Sequence, residues 1–558
     1  MVGGWGGRVP ANGSGRFGTD QSLRAITGFT GHGSIALCAP SCQSRTRGLR
    51  PQAFAEDHPV PIRSLPPFRD LPAFLTFLEG KGQIHRIREP VSTVHTVTEI
   101  HRRVIEKGGP VLVFERPIRA DGTISTIPLV TNLFGTVERV ALGFGIGTED
   151  LRPLGEALAE LRSPSAPNSL RDLLKRLPLA RAALRTRPAE TSSAPVQEVV
   201  ITGAEVDVTQ IPVQTCWPGE PAPLITWPLV ITCPPGEFEP THANVGVYRM
   251  QVLGPDRLIM RWLAMRGGAQ HFRRWQAQGR DMPVAVAIGT DPATILSAVM
   301  PLPEGISELT FAGLVRGERP RLTKAVSVPL MVPADAEIVI EGVVSATETA
   351  PEGPYGDHTG YYNSVEPFPV MRVTAITRKS KPVYLSTFTG RAPDEPSVMG
   401  AAMNEMFIPV VKRQFPEIVD VWLPPEACSY RIAVVAFKKS YPGHARRLMM
   451  ALWSVLPQFT MTKLIIAVDA DVKAREWSDV MWAVATRSDP SRDLLVLTDT
   501  PIDYLDFASP KAGLGGKLGI DATTKIGTET EREYGQVLGM SSDVAAVVDA
   551  IWPKLGLK

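Results

Sequence analysis

Cysteine is scarce and unpaired in this chain. Five residues in 558, Cys38, Cys42, Cys216, Cys233 and Cys428, are odd in number and contain no CxxC pair. That usage excludes a disulfide framework and a structural zinc site, and points to a reducing, cytoplasmic setting. Long apolar runs are missing as well: none approaches the roughly 20 residues that span a bilayer, so any membrane contact is expected at the surface. Neither sign of charge is in excess. Lys and Arg number 59 against 57 Asp and Glu, a net +2 that supplies no basic field for nucleic acid, and no nucleic-acid partner is expected. The chain also lacks a GxGxxG after a strand, a Walker loop, an HExxH and a GxSxG elbow. Its "GLGGKLG" (Gly513–Gly519) has glycines without the Lys-Ser/Thr ending, which makes a weak phosphate loop.

Apolar residues, by contrast, are ample at 44%, and the length implies several domains. Residues 1–63 are Gly-, Ser- and Arg-rich and acid-poor, and read as a disordered extension. They resemble a transit peptide in composition but lack its amphipathic helix, and an upstream start codon would look the same. From Asp70, a candidate N-cap, Leu71, Phe74, Leu75 and Leu78 recur at helical spacing, with Gly80 as the stop. The strand-like "PVLVF" and an Arg-rich helical region to about Arg187 complete an N-terminal α/β domain over 64–187. "PAETSSAP" reads as a linker. The β-rich runs "NVGVYRMQVL" and "RLIMRWLA", joined at Gly254, Pro255 and Asp256, predict a hairpin. With "AEIVIEGVVSATE" and "VMRVTAITRK", they define a β-sheet or barrel domain over 196–390. From 400 to 558, strand and helix alternate ("RIAVVAF", "HARRLMMALWSVL", "KLIIAV", "WSDVMWAVATR", "DLLVL"), which predicts an α/β layer on a largely parallel sheet. The expected class is therefore multidomain, mixing α/β and α+β.

Three places could carry chemistry. Arg249 on the first strand of the hairpin, with Arg261 and Arg266, forms an arginine cluster that suits an anion unless it is merely a solvated strand face. "APEGPYGDHTGYYN" (Ala350–Asn363) holds Glu352 and Asp357 apart on a backbone fixed by Pro354 and Gly356. Two carboxylates in different surroundings can divide acid and base work, although a turn with both in water has the same pattern. His358 reads either as a proton shuttle or as a histidine bonded to its own loop. Asp469 and Asp471 could suggest a metal, but turn and capping roles suit a strand end better.

Taken together, "ETAPEGPYGDHTGYYN", "NVGVYRMQVLGPDRLIMRWLAMRGG", "DPATILSAVMPLPEGISELTFAGLVRG", "PPEACSYRIAVV" and "TPIDYLDFASP" closely resemble the UbiD family of decarboxylases, from about Leu65 to the end. The resemblance implies a middle domain built as a split β-barrel that binds prenylated FMN. It also implies a homo-oligomer, a hexamer by family, assembled largely through the C-terminal domain. Cofactor contacts carry over onto Val247, Tyr248, Arg249, Arg261, Trp262, Leu263, Arg266 and Gly267. A divalent ion, usually Mn2+ and accompanied by K+, would be held by Asn244 and Glu308. The catalytic trio falls on Arg249, Glu352 and Asp357, with Asp357 as proton donor through a carboxyl pKa raised by an apolar site. Met265 stands where relatives carry a histidine, and a thioether is a poor ligand for a hard cation, which implies either that water or another group completes the shell or that metal binding is weaker.

The implied reaction is decarboxylation of 4-hydroxy-3-polyprenylbenzoate in ubiquinone biosynthesis. A flavin prenyltransferase would supply the cofactor, and the greasy substrate suggests peripheral contact with the inner membrane. Another aromatic or acrylic acid on the same site is the alternative. A cofactor-binding protein without turnover is a third reading, opposed by the presence of all three trio residues.

Overall fold

The computed structural model describes residues 63–162, 186–264, 266–300, 302, 307–455 and 457–557. The extension expected over 1–63 lies outside them except for Arg63, whose Nη1 donates to the Phe144 and Val315 carbonyls at 3.1 Å. Most of the Arg-rich stretch before Arg187, and Met265, also lie outside the described residues.

The helix Leu71–Gly80 forms where the apolar spacing places it, and Leu71, Phe74, Leu75 and Leu78 are its buried face. Asp70 caps it by accepting from Ala73 N at 2.9 Å, satisfying one of the free donors of the first turn. The second Asp70 oxygen accepts from Lys379 Nζ at 2.8 Å, and the same ammonium lies 2.7 Å from the buried Glu337. One side chain thus ties the first helix to the middle sheet. Asp70→Ala is expected to cost about 1–2 kcal/mol, a cap plus half of an ion pair. A lowered urea midpoint would register that loss, and an unchanged midpoint would show the cap to be dispensable.

Among the described residues, the three largest sheets have four, nine and five strands. The first runs Ile84–Ile87, Val111–Phe114, Leu129–Thr131 and Tyr384–Leu385. Its last strand therefore comes from after the middle sheet and pairs parallel with Leu129–Thr131. The first and middle sheets share one apolar core, from Leu71 through Val286 and Ile340 to Met406.

The middle sheet is antiparallel and curled. Its spine is two long strands, Ile338–Glu352 and Glu366–Arg378, paired with register shifts after Glu341 and after Val344. Such bulges bend a strand and increase its twist, which curls the sheet toward a half-barrel. The hairpin Met250–Gly254 and Arg257–Met260 pairs as predicted across Pro255 and Asp256. "NVGVYRMQVL", however, is not one strand. Asn244–Val247 pairs with Leu229–Thr232, while Met250 onward pairs with Arg257–Met260, so the chain breaks at Tyr248 and Arg249. Arg249 sits in that break rather than on the strand where the sequence reading put it. β-propensity hid the break, because Val247 and Tyr248 before Arg249 and Val252 after it suit strands.

The C-terminal layer has the expected alternation of strand and helix, with cores on both faces of its sheet. Its sheet is more mixed than expected. Ile432–Phe437, Leu464–Asp469 and Leu514–Ala522 run parallel, whereas both edges, Ile418–Trp422 and Leu494–Pro501, are antiparallel. "GLGGKLG" belongs largely to the strand Leu514–Ala522 and is no phosphate loop. Asp469 and Asp471 hold Arg487, at 2.6 and 2.7 Å, which accounts for both carboxylates without a metal. The 20-residue helix Glu395–Gln414 links this layer to the rest. It crosses the helix Leu151–Arg162 so closely that a Cβ on Gly155 would lie 2.2 Å from the Met406 carbonyl oxygen. No helix among the described residues is long and apolar enough to cross a membrane.

Candidate active site

Glu352 is the last residue of the long strand Ile338–Glu352, so only the chain after it is loop. Side chains and backbone tie that loop down at several points. Gly353 N donates to Gln251 Oε1 at 3.0 Å, Tyr355 N to Asn363 Oδ1 at 2.8 Å, and Gly356 N to Glu220 Oε1 at 3.3 Å. Gly353 has φ +90°, a conformation that favours glycine, and a Cβ on Gly356 would meet Trp217 Cδ1 at 2.2 Å. The loop is stiff because its glycines admit close packing and its amides are bonded.

Onto this frame the break after Val247 delivers Arg249. Its Nε donates to Glu352 Oε1 at 2.9 Å and its Nη1 to Asp357 Oδ2 at 3.0 Å. Nη2 serves Asn363 Oδ1 at 2.8 Å and Glu352 Oε2 at 3.3 Å. A guanidinium has five N–H donors, and these contacts leave one, on Nη1, for a ligand. Glu352, fully buried, also accepts from Arg261 Nη1 at 3.0 Å. Behind Arg261 stands Tyr504 of the C-terminal layer, hydrogen-bonded to Nη2, with the guanidinium 5.5 Å from its ring. The trio named from sequence is one contiguous cluster. Asn363 and Tyr504 were given no role there, although both lie in the stretches that carried the family resemblance.

A second group of residues converges beside the cluster. Tyr248 OH accepts from Gly268 N at 3.3 Å and from Asn244 Nδ2 at 3.2 Å, joining the strand break to the start of the helix Gly267–Gln276. Trp262 packs edge-on to Tyr248 at 6.5 Å, and its indole N–H is buried without a partner. At that helix start Arg266 is exposed and makes no side-chain capping bond, and a Cβ on Gly267 would lie 2.0 Å from Asn244 Oδ1. An orphan donor, an unengaged guanidinium and a helix N-terminus that opens on two glycines suit a phosphate-bearing aromatic cofactor. Glu308 lies alongside, accepting from Val245 N at 2.8 Å, and burial pushes its carboxyl up to about 7. A buried carboxylate and an amide oxygen are hard donors that suit a divalent cation. They do not form a complete site by themselves, and among the described residues no cluster of three His, Cys, Asp or Glu is arranged for a metal. Val247 ends the strand that Asn244 begins, and Leu263 and Arg266 lie between Trp262 and Gly267.

Comparison with known proteins supplies the family. Three family models match in chain order: the 3-octaprenyl-4-hydroxybenzoate carboxy-lyase N-terminal domain at 75–158, its Rift-related domain at 187–392 and its C-terminal domain at 397–522. The chain belongs to the UbiD family.

Solved UbiD-class structures agree in fold. HmfF from Pelotomaculum thermopropionicum in complex with FMN is 28% identical, with a TM-score of 0.70 over 86% of this chain and 99% of that one. An evolved dimeric form of the same enzyme in complex with prFMN gives 28% identity and a TM-score of 0.69 over 86% and 100%. The closed form of vanillic acid decarboxylase from Sedimentibacter hydroxybenzoicus is 24% identical, with a TM-score of 0.73 over 88% and 99%.

The charges in this UbiD-family site differ from expectation in one respect. Asp357 was expected to have a raised pKa. Burial does push its carboxyl up, but hydrogen bonds from the His358 ring and backbone, with the Arg249 charge, outweigh burial and hold it below the ordinary aspartate value. Glu352 is the carboxyl that shifts upward, because burial exceeds the help from Arg249 and Asn363. His358 donates its backbone N–H to Asp357 Oδ1 at 2.8 Å, and its Nδ1 lies 2.9 Å from the same oxygen. It is bonded to its own loop and also touches the C-terminal layer, at Asp503.

Proposed function

We propose that this protein is a prenylated-FMN-dependent decarboxylase of an aromatic acid, with 4-hydroxy-3-polyprenylbenzoate as the first substrate to test. The observation that carries the reading is Arg249, clamped between Glu352 and Asp357 at 2.9 and 3.0 Å with one N–H left over. The family models, named for 3-octaprenyl-4-hydroxybenzoate carboxy-lyase, favour the polyprenyl substrate. Solved relatives that share the fold include vanillic acid and 3,4-dihydroxybenzoic acid decarboxylases, so small phenolic acids belong in the same assay. The same reading divides the chain into domains at 64–187, 196–390 and 400–558.

Loss of carbon dioxide leaves an electron pair that no side chain can hold, and the prenylated flavin supplies the electron sink when bound. Tyr248, Trp262, Arg266 and Gly267 would hold it, and Asn244 and Glu308 would offer hard oxygen donors to a divalent ion. Arg249 positions the substrate carboxylate with its remaining Nη1–H. Glu352 and Asn363 fix the guanidinium plane, and Arg261 with Tyr504 fixes Glu352. Asp357, on the opposite edge of Arg249, returns a proton to the ring carbon. Asp357→Asn is expected to retain cofactor and lose about 10²–10⁴-fold in turnover, since the amide has no proton to give. Near-wild-type turnover would place the donor elsewhere.

A homo-oligomer, hexameric by family, and peripheral contact with the inner membrane extend the proposal. The helix Ser542–Ile551, which has no buried residue, and the exposed Leu538 and Leu557 around it support the first. The decisive experiment co-expresses the chain with a flavin prenyltransferase, identifies the bound cofactor by mass and absorbance, and measures carbon dioxide release from polyprenylated 4-hydroxybenzoate and from phenolic acids. Prenylated flavin with release supports the function, and no bound flavin overturns it.

A further inference from the structure

The lowered pKa of Asp357 raises a question that the trio alone does not answer: the group that must give a proton rests without one. His358 lies beside it in an unusual setting. Both ring nitrogens face carboxylates from different parts of the chain, Nδ1 at 2.9 Å from Asp357 Oδ1 and Nε2 at 3.5 Å from Asp503 Oδ2. The second contact is at ion-pair distance without a formed hydrogen bond. Asp503 is held in place by Tyr430 OH at 3.0 Å, Arg431 Nη2 at 3.3 Å and the Leu505 backbone N–H at 3.0 Å. An imidazole between two carboxylates can satisfy both only by carrying two N–H groups, as the cation does.

We propose that His358, positioned by Asp503, is the proton store that recharges Asp357. The inference rests on the proposed decarboxylation. As the carbon–carboxylate bond breaks, its electron pair remains on the ring carbon. That carbon takes the proton from Asp357, whose O–H was formed by transfer from His358 Nδ1–H. The imidazole, left neutral, recovers its proton from solvent; the His358 side chain is 22% exposed, although Nε2 itself is buried against Asp503. Asp357 needs a supplier because the His358 hydrogen bonds, and after them the Arg249 charge, keep its carboxylate ionised; the Arg249 share is relieved when a substrate carboxylate engages that guanidinium. Other charged or titratable groups around His358 are Asp394, Tyr430 and Arg431, and Arg249 acts through Asp357. In this setting burial lowers the ring, but Asp357 and Asp503 outweigh it and lift it to about 9.

The test has two arms, and the first needs neither cofactor nor substrate. The full chain, labelled at its nine histidines, is titrated by NMR, with His358→Gln assigning the resonance by its disappearance. A midpoint near 9 that falls by more than one pH unit in Asp503→Asn supports the store. A midpoint at the ordinary histidine value, or one that Asp503→Asn does not move, overturns it whether or not the enzyme turns over. In the second arm, on cofactor-loaded protein, kcat falls as pH rises through the same midpoint, because the neutral ring has no proton to pass on. Asp503→Asn shifts that alkaline limb downward by the shift seen in NMR, with cofactor content and KM unchanged. His358→Gln loses roughly 10²-fold in kcat at constant KM. A kcat profile that Asp503→Asn leaves in place overturns the relay, whereas wild-type protein that binds prenylated flavin and releases no carbon dioxide from any acid defeats the proposed function instead.

Discussion

Arg249→Ala is expected to cut carbon dioxide release by roughly 10²–10³-fold, the loss typical when one preorganised charge is removed from a reacting centre. The structure explains why no neighbour compensates. Arg261 is the other guanidinium at Glu352, but its Nη1 serves that carboxylate and its Nη2 serves Tyr504. Lysine would not rescue the activity. A single ammonium cannot span Glu352 and Asp357 on opposite edges as the planar fork does, and it loses the packing of the guanidinium 5.3 Å from the Tyr355 ring. The fold should survive, because Glu352 keeps Arg261 as counterion and Asp357 keeps His358. The check is single-turnover decarboxylation alongside circular dichroism. Folded Arg249→Lys protein with activity within about tenfold of wild type would mean that the substrate carboxylate is bound by another group.

Gly155→Val should produce the largest loss of stability, about 1–3 kcal/mol or more, the range for overpacking a close contact. Gly155 on the helix Leu151–Arg162 faces the Met406 carbonyl of the helix Glu395–Gln414, and the nearest atoms to an added Cβ are backbone, which cannot rotate aside. The helices must move apart, loosening Met406 and Leu154 in the shared core. Because the chain holds several cores, the first urea transition is the quantity to follow rather than a single global midpoint. A first transition at the wild-type midpoint would show that the two helices separate without cost.

What was legible beforehand follows the physics of pattern. The helix at Leu71–Gly80 announced itself through a cap and a 3.6-residue period, and the strands Ile432–Phe437 and Leu464–Asp469 through short apolar runs between helices. The trio was named through the family resemblance; composition alone marked only its two carboxylates, five positions apart in one unusual stretch, and did not tie them to Arg249. What stayed hidden depends on distance or on sharp local change. Tyr504 is 243 positions from Arg261, and no periodicity links residues so far apart. The break at Tyr248–Arg249 is masked by strand-forming neighbours. The charge on Asp357 could not be read because it is decided by His358 and Arg249 rather than by how apolar the loop is.

The late arrival of Tyr384–Leu385 in the first sheet bears on how the chain is made. Synthesis delivers Leu129–Thr131, wholly buried in the finished protein, long before its parallel neighbour exists. Until then an apolar sheet edge stands open, and such edges recruit other chains. A nascent chain or a truncated product that stops anywhere short of Tyr384 carries this adhesive edge, so the first domain cannot be excised cleanly at its apparent linker. The sheet that leaves the ribosome first is completed only when the whole middle domain has followed it out.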